Sequence, residues 1–284
     1  MGQRIRVCGI GVQFRCPDAR LSETIELVFG SLPADTDSVP PTLVYTVDRD
    51  PITDALIMRR EGSQPLAAES IDELLFLLDK DLILELQRRR ADLFFVHAGI
   101  VAHDGGAWAI SAPSGTGKST TVWALVCEGL RYVTDELAPI ERLAAEARVY
   151  PYPRALNLKR EPPQPYALPA DTLRFEDALY VPTRSMASAP QVDTLPLRGF
   201  LFLQRTEARA VPRVTRLTPA EAATHLYANA LNPLAHADMG LDPAISVVRS
   251  LPCFLIEVGP VAAVVTELRR CMSAATCNKT GRDE

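Results

Sequence analysis

Residues 112–119 read Ala112-Pro113-Ser114-Gly115-Thr116-Gly117-Lys118-Ser119, followed by Thr120, between an apolar run and a helix-like one. Gly115 and Gly117 carry no Cβ, so the backbone there can curl and aim successive N–H groups at phosphate oxygens. Lys118 adds a point charge for β- and γ-phosphates, and Ser119 adds a hydroxyl for Mg²⁺. A helix that begins here turns its positive dipole end toward the same place. These residue types at this spacing suit the binding of a nucleoside triphosphate. The usual G-x-x-x-x-G-K-[ST] pattern has Ala112 in its first position here, a mild change where the backbone is extended.

Acidic residues follow close behind. A strand-like run over 130–134 leads straight into Asp135 and Glu136, and acids at a strand end beside a phosphate loop are where Mg²⁺ is usually held. His97 lies in the β-like run 93–101; a lone histidine in such a run is ordinarily a satisfied core residue, so a site role for it is one of two readings. The proline-dense stretch 151–169 carries Arg154 and Lys159. A loop this long and rigid inside a compact domain is more often a site than a connector, and both cations are candidates for phosphate contact or for plain surface charge. His103, His225 and His236 stand in no recognisable spacing.

The elements that must position these groups are partly legible. Ala107-Trp108-Ala109-Ile110 reads as a buried strand entering the loop, and 119–127 as a helix ending at Gly129. Asp104-Gly105-Gly106 between apolar runs signals a hairpin. Upstream, Ser70 and Glu73 form a capping box, and Ile71, Leu74, Leu75, Leu78, Leu82 and Leu86 keep one apolar stripe down to Arg88-Arg89-Arg90. Strands are expected over 4–16, 43–47, 56–58, 199–203 and 253–258, and helices over 219–230 and 261–271. A Pro/Asp/Ser-rich loop covers 31–41. The expected organisation is a small α+β N-terminal unit over 1–90, an α/β nucleotide-binding domain with a mixed sheet over 91–272, and a polar, flexible tail over 273–284. No internal repeat is present.

Bulk properties narrow the function classes. The chain has 284 residues and a formal charge of -5, with both signs interspersed, so no electrostatic footprint for nucleic acid exists. The one basic run, 88–90, closes a helix where cations are favoured, a structural role. Six cysteines form no C-x-x-C pair, which argues for a reduced, cytoplasmic protein without zinc. The N-terminus lacks the apolar core of a signal peptide. The richest apolar stretch, 74–86, is broken by Asp79, Lys80, Asp81 and Glu85 and cannot span a bilayer.

In order and at close spacing, His97, the loop 114–120, the segment 129–136 and the Pro153-Arg154-Ala155-Leu156-Asn157-Leu158-Lys159 stretch resemble the HPr serine kinase family. That family's nucleotide domain is related to that of phosphoenolpyruvate carboxykinase. The resemblance covers 93–159 well. It implies that Asp135 is a general base for an attacking hydroxyl, that His97 holds or tunes that carboxylate, and that Glu136 and Ser119 hold Mg²⁺. Lys118 and the loop amides would bind ATP. Where HPr kinases carry a glycine-rich Arg-Gly loop, this chain has 153–159. This is closer to divergent relatives, some of which resemble tailoring kinases of ribosomally made peptides, including lasso-peptide precursors. The resemblance therefore implies a kinase acting on a serine-type hydroxyl of a peptide or small protein, in a chain able to form homo-oligomers. Two other readings stay open: a kinase of a free small molecule, and a nucleotide-binding regulatory or assembly protein without turnover.

Overall fold

The computed structural model describes residues 2–35, 39–143, 146–206 and 211–280, without the side chains of 276–280. Strands β1 (Gly2–Val7) and β2 (Ile10–Arg15) form a hairpin closed by Cys8 and Gly9, whose φ values of 49° and 81° are those of the tight turns that match strand twist. Helix α1 (Ala19–Phe29) follows; the Asp18 carboxylate caps it by accepting from Leu21 N at 3.1 Å. It carries the chain across to β3 (Leu43–Arg49), which lies parallel to β2, and β4 (Leu56–Arg60) and β5 (Leu66–Ala68) complete a five-stranded sheet in sequence order.

Helix α2 (Ile71–Arg89) packs its leucine stripe on this sheet. Ser70 Oγ accepts from Glu73 N at 3.1 Å, while the Glu73 carboxylate accepts from Glu69 N at 2.7 Å, so the capping box is closed one residue early. The three arginines behave structurally. Arg88 and Arg89 pair with Glu85, while Arg90 pairs with Asp92, donates to Cys8 O and lies 5.2 Å from the Tyr150 ring centroid.

The larger sheet has nine strands: β6 (Phe94–Val96), β7 (Gly99–His103), β8 (Gly106–Ser111), β9 (Arg131–Thr134), β10 (Ala138–Arg142), β11 (Ala147–Val149), then β15 (Leu195–Gln204), β16 (Arg213–Arg216) and β17 (Cys253–Glu257). Between β11 and β15, the strands β12 (Leu156–Leu158), β13 (Leu173–Arg174) and β14 (Leu179–Val181) form a separate three-stranded sheet, with β12 drawn from the proline-dense stretch. The order β6-β10-β11-β15-β8-β7-β9, with β17 beside β15 and β16 beside β17, is mixed, because β15 runs parallel to both β8 and β17.

Strand β8 is buried on both faces, and period-2 alternation sorts its side chains. Trp108 and Ile110 join a core with α3 (Lys118–Cys127) and α6 (Val261–Thr280); Ala107 and Ala109 join another with α4 (Pro219–Tyr227) and α5 (Leu241–Val248). The core of the N-terminal sheet runs on without a break into Leu93, Phe95, Leu137, Tyr152 and Tyr180.

Four expectations need adjustment. The run 93–101 is not one strand: β6 pairs with β10 and β7 with β8 and β9, and His97 sits in the break between them with its N–H given to Asn229 O at 2.8 Å. Helix α4 ends at Tyr227, and α1 and α5 arise where no helix was expected. The tail is helical through Thr280, as part of α6, and residues 281–284 lie outside the described residues. Among the described residues no helix is long and apolar enough to cross a membrane, and the five described cysteines are free thiols.

Candidate functional site

Strand β8 delivers the chain to residues 112–117, and α3 takes it away again. Gly115 and Gly117 have φ of +80° and +106°, and a Cβ on either would meet nothing within 4 Å. Conformation rather than space therefore requires glycine there. Gly117 is the N-cap of α3 and supplies no side-chain cap, so the first-turn amides have no intrahelical acceptor and are free for an anion. Pro113, Ser114, Gly115, Gly117, Lys118, Ser119 and Thr120 line one wall of a cavity of about 680 Å³. Thr116 is buried beneath the loop, and its N–H closes a turn on Pro113 O at 3.2 Å.

Beyond this wall, β9 ends at Asp135 and Glu136, and the two acids part company. Asp135 is 1% exposed; its Oδ1 accepts from Tyr132 OH at 3.0 Å and its Oδ2 from Asn157 N at 2.9 Å, with Arg154 Nη2 3.7 Å away. It does not line the cavity, so the group expected to receive a proton is shut in by its own partners. Glu136 does line it. Its Oε1 accepts from Lys80 Nζ at 2.7 Å, and its Oε2 lies 3.6 Å from His97 Nε2 and 4.0 Å from Arg154 Nη2. His97 thus faces Glu136, not Asp135 as expected. Burial works to raise the Glu136 pKa, but His97 and the charges of Arg154, Lys118 and Lys80 prevail and hold it well below the usual carboxylate range.

The cations are interleaved with these acids. Lys118 Nζ donates to the backbone oxygen of Asp135, and burial pushes its ammonium down from its ordinary range against the pull of Asp135 and Glu136. Arg154 is 3% exposed, with Nε 3.1 Å from Asp79 Oδ1 and Nη1 donating to Ala155 O at 2.8 Å. Tyr152 OH also donates to Asp79 Oδ1, at 2.8 Å, and burial raises the Asp79 pKa despite Arg154. Arg154 is therefore a holder of carboxylates that also lines the cavity, and not the plain surface charge that was one of its two expected roles.

Lys159 does reach the loop. Its Nζ donates to Ser114 Oγ at 3.4 Å, while Arg205, from just past β15, donates to Gly115 O at 3.2 Å from the other side. Asp79, Lys80, Tyr132, Asn157 and Arg205 were not singled out from the sequence. The signal for the first two was present: charges interrupting the richest apolar stretch, read there only as excluding a membrane span.

No protein-family model matches this chain, and no curated protein matches it in sequence. Among solved structures it is similar to the Hpr(Ser) kinase/phosphatase from Coxiella burnetii, at 14% identity over 66% of this chain and 94% of that one, with a TM-score of 0.38. At that TM-score the likeness carries no argument about function. What the site can do follows from its groups: bind a polyanion at the loop and present an ionised carboxylate in the same cavity.

Proposed function

We propose that this chain is an ATP- and Mg²⁺-dependent phosphotransferase that moves the γ-phosphate to a serine-type hydroxyl of a peptide or small protein. One observation carries this reading: the uncapped start of α3, with Lys118, shares a cavity with Glu136, a carboxylate kept ionised by its neighbours. A pure nucleotide binder would use Glu136 only to hold Mg²⁺, whereas here its second oxygen faces His97 Nε2 and is left for a proton.

The donor set fits Mg²⁺. Among the described residues no three His, Cys, Asp or Glu side chains gather into a cage for a metal, and Mg²⁺ needs none, since it keeps waters and shares phosphate oxygens. Ser119 and Glu136 Oε1 would hold it, and when bound it would neutralise phosphate charge. The loop amides and Lys118 would fix the γ-phosphate for in-line attack. Lys159 and Arg205 flank the loop where they would close over a bound triphosphate.

The resemblance implies Asp135 as the base, but the geometry favours a different division of labour. Asp135 would anchor Asn157, and with it the segment leading to Lys159, to the strand end. Glu136 Oε2 with His97 Nε2 behind it would hold the acceptor's proton. The base is a modest part of such catalysis, about 10² to 10⁴ in rate, because phosphoryl transfer depends mostly on alignment and charge neutralisation.

The test is transfer from γ-phosphate-labelled ATP into a desalted extract of the native host, with products separated by size, for wild type and Glu136→Gln. Label on a peptide or protein with the wild type alone supports the proposal. Label that enters only small molecules after metabolites are restored moves the acceptor to that class. No transfer under either condition leaves a nucleotide-binding protein and sinks the kinase reading.

A further inference from the structure

Helix α2 sends two consecutive side chains into the carboxylate cluster. Asp79 turns inward onto Arg154, whereas Lys80 reaches Glu136 Oε1 at 2.7 Å with its side chain 41% exposed and its Nζ 5.5 Å from the Phe76 ring centroid. The two oxygens of Glu136 have separate neighbours: Oε2 faces His97 and Arg154, and Oε1 is covered by Lys80. The other cations near Glu136 are fixed, Lys118 on the backbone oxygen of Asp135 and Arg154 between Asp79 and Ala155 O. Both of these are buried, so moving either would strand a charge in a low-dielectric interior. Lys80 has solvent beside it and an aromatic face at hand, and a half-exposed pair of this kind is weak. It can leave cheaply.

An ammonium and a divalent cation need the same lone pairs of a carboxylate oxygen. We propose that Lys80 competes with the divalent cation for Glu136 Oε1, which makes α2 of the N-terminal unit the element that sets how readily the site accepts its metal. This rests on the reading of Glu136 as a metal ligand. Released from Glu136, the ammonium stays at the cavity mouth, tethered by the helix and close to Phe76. The N-terminal unit then supplies a charge that is part of the metal site's own balance.

The experiment is a titration of Mn²⁺ into the full chain mixed with an equimolar non-hydrolysable ATP analogue, whose phosphate oxygens complete the site, with free Mn²⁺ read by electron paramagnetic resonance and no turnover involved. Lys80→Met should bind Mn²⁺ up to about fivefold tighter than wild type, the factor expected for loss of a half-exposed pair. Lys80→Arg, which keeps the charge, should bind as wild type does. Arg160→Met removes another cation that lines the same cavity, and it should change binding less. Binding by Lys80→Met that is unchanged, weaker or undetectable overturns the competition, and so does an equal gain in Arg160→Met. If Lys80→Met binds tighter and adding Glu136→Gln leaves that gain intact, the failure lies instead in the assignment of Glu136 as the ligand.

Discussion

At the scale of single residues, two adjacent acids with the same chemistry are set apart by where β9 ends. Asp135 has a donor on each oxygen, one of them a backbone N–H that cannot turn round to accept. Asp135→Asn can keep Asn157 N on its amide oxygen and turn its NH₂ to the Tyr132 hydroxyl, which accepts, but it strips a counter-charge from the buried Arg154. It is expected to cost about 1–3 kcal/mol of stability, visible as a lowered melting temperature, while nucleotide affinity is kept. Glu136→Gln should lower transfer about 10²-fold or more while affinity for metal-free nucleotide stays near that of wild type, as read by equilibrium binding beside a rate assay. Equal loss of transfer in the two variants would return the base role to Asp135.

Glu136 also gives a signed pH effect. Its folded pKa is depressed, so the stability it contributes is present above the unfolded value near pH 4.3 and is lost as pH falls toward the folded one. The gap in melting temperature between wild type and Glu136→Gln should narrow on acidification through about pH 4. The loop, the acids and His97 were legible because they lie on or beside local patterns of turn, helix start and strand end. Lys80 was not, because it meets Glu136 across 56 positions of chain, a distance that no local pattern records.

At the scale of elements, the loop depends on backbone angles that only glycine adopts cheaply. Gly117→Ala meets no steric obstacle, yet it holds an L-residue at φ +106°, at a cost of about 1–2 kcal/mol. The loop should open or α3 should start later, and nucleotide affinity should fall far more than melting temperature; an unchanged affinity would show that the loop does not hold the phosphates through its backbone. The hairpin from β7 to β8 could be read from Asp104-Gly105, and both residues do take positive φ, 47° and 70°. The break at His97 could not, since continuous apolar residues conceal a change of strand partner. Helix α5 was hidden for another reason: it follows Asp238, Met239 and Gly240, all with positive φ, a path imposed by tertiary packing rather than by any stop or start signal in the sequence.

At the scale of the whole molecule, the expected division near residue 90 does not separate two cores. Leu93, Phe95, Tyr152 and Tyr180 are buried in the same cluster as the N-terminal sheet, and Asp79 and Lys80 complete the charge balance of the site. The full chain should therefore unfold in one cooperative transition by calorimetry, and a fragment beginning at residue 91 should be insoluble or molten, with no Mn²⁺ or nucleotide binding. Two separated transitions, or a folded fragment that binds nucleotide, would show that the shared core is energetically minor.

The passage from α2 to β6 is itself pinned, by Arg90 on Asp92, on Cys8 O and on the Tyr150 ring. A junction fixed in this way is a poor place for recombination, so the two halves of the chain are expected to have descended together rather than to have been traded between lineages. Positions 79, 80, 136 and 154 should then have changed as a set. In an alignment of descendants, loss of the lysine at 80 without an accompanying change at 136 should be rarer than chance allows.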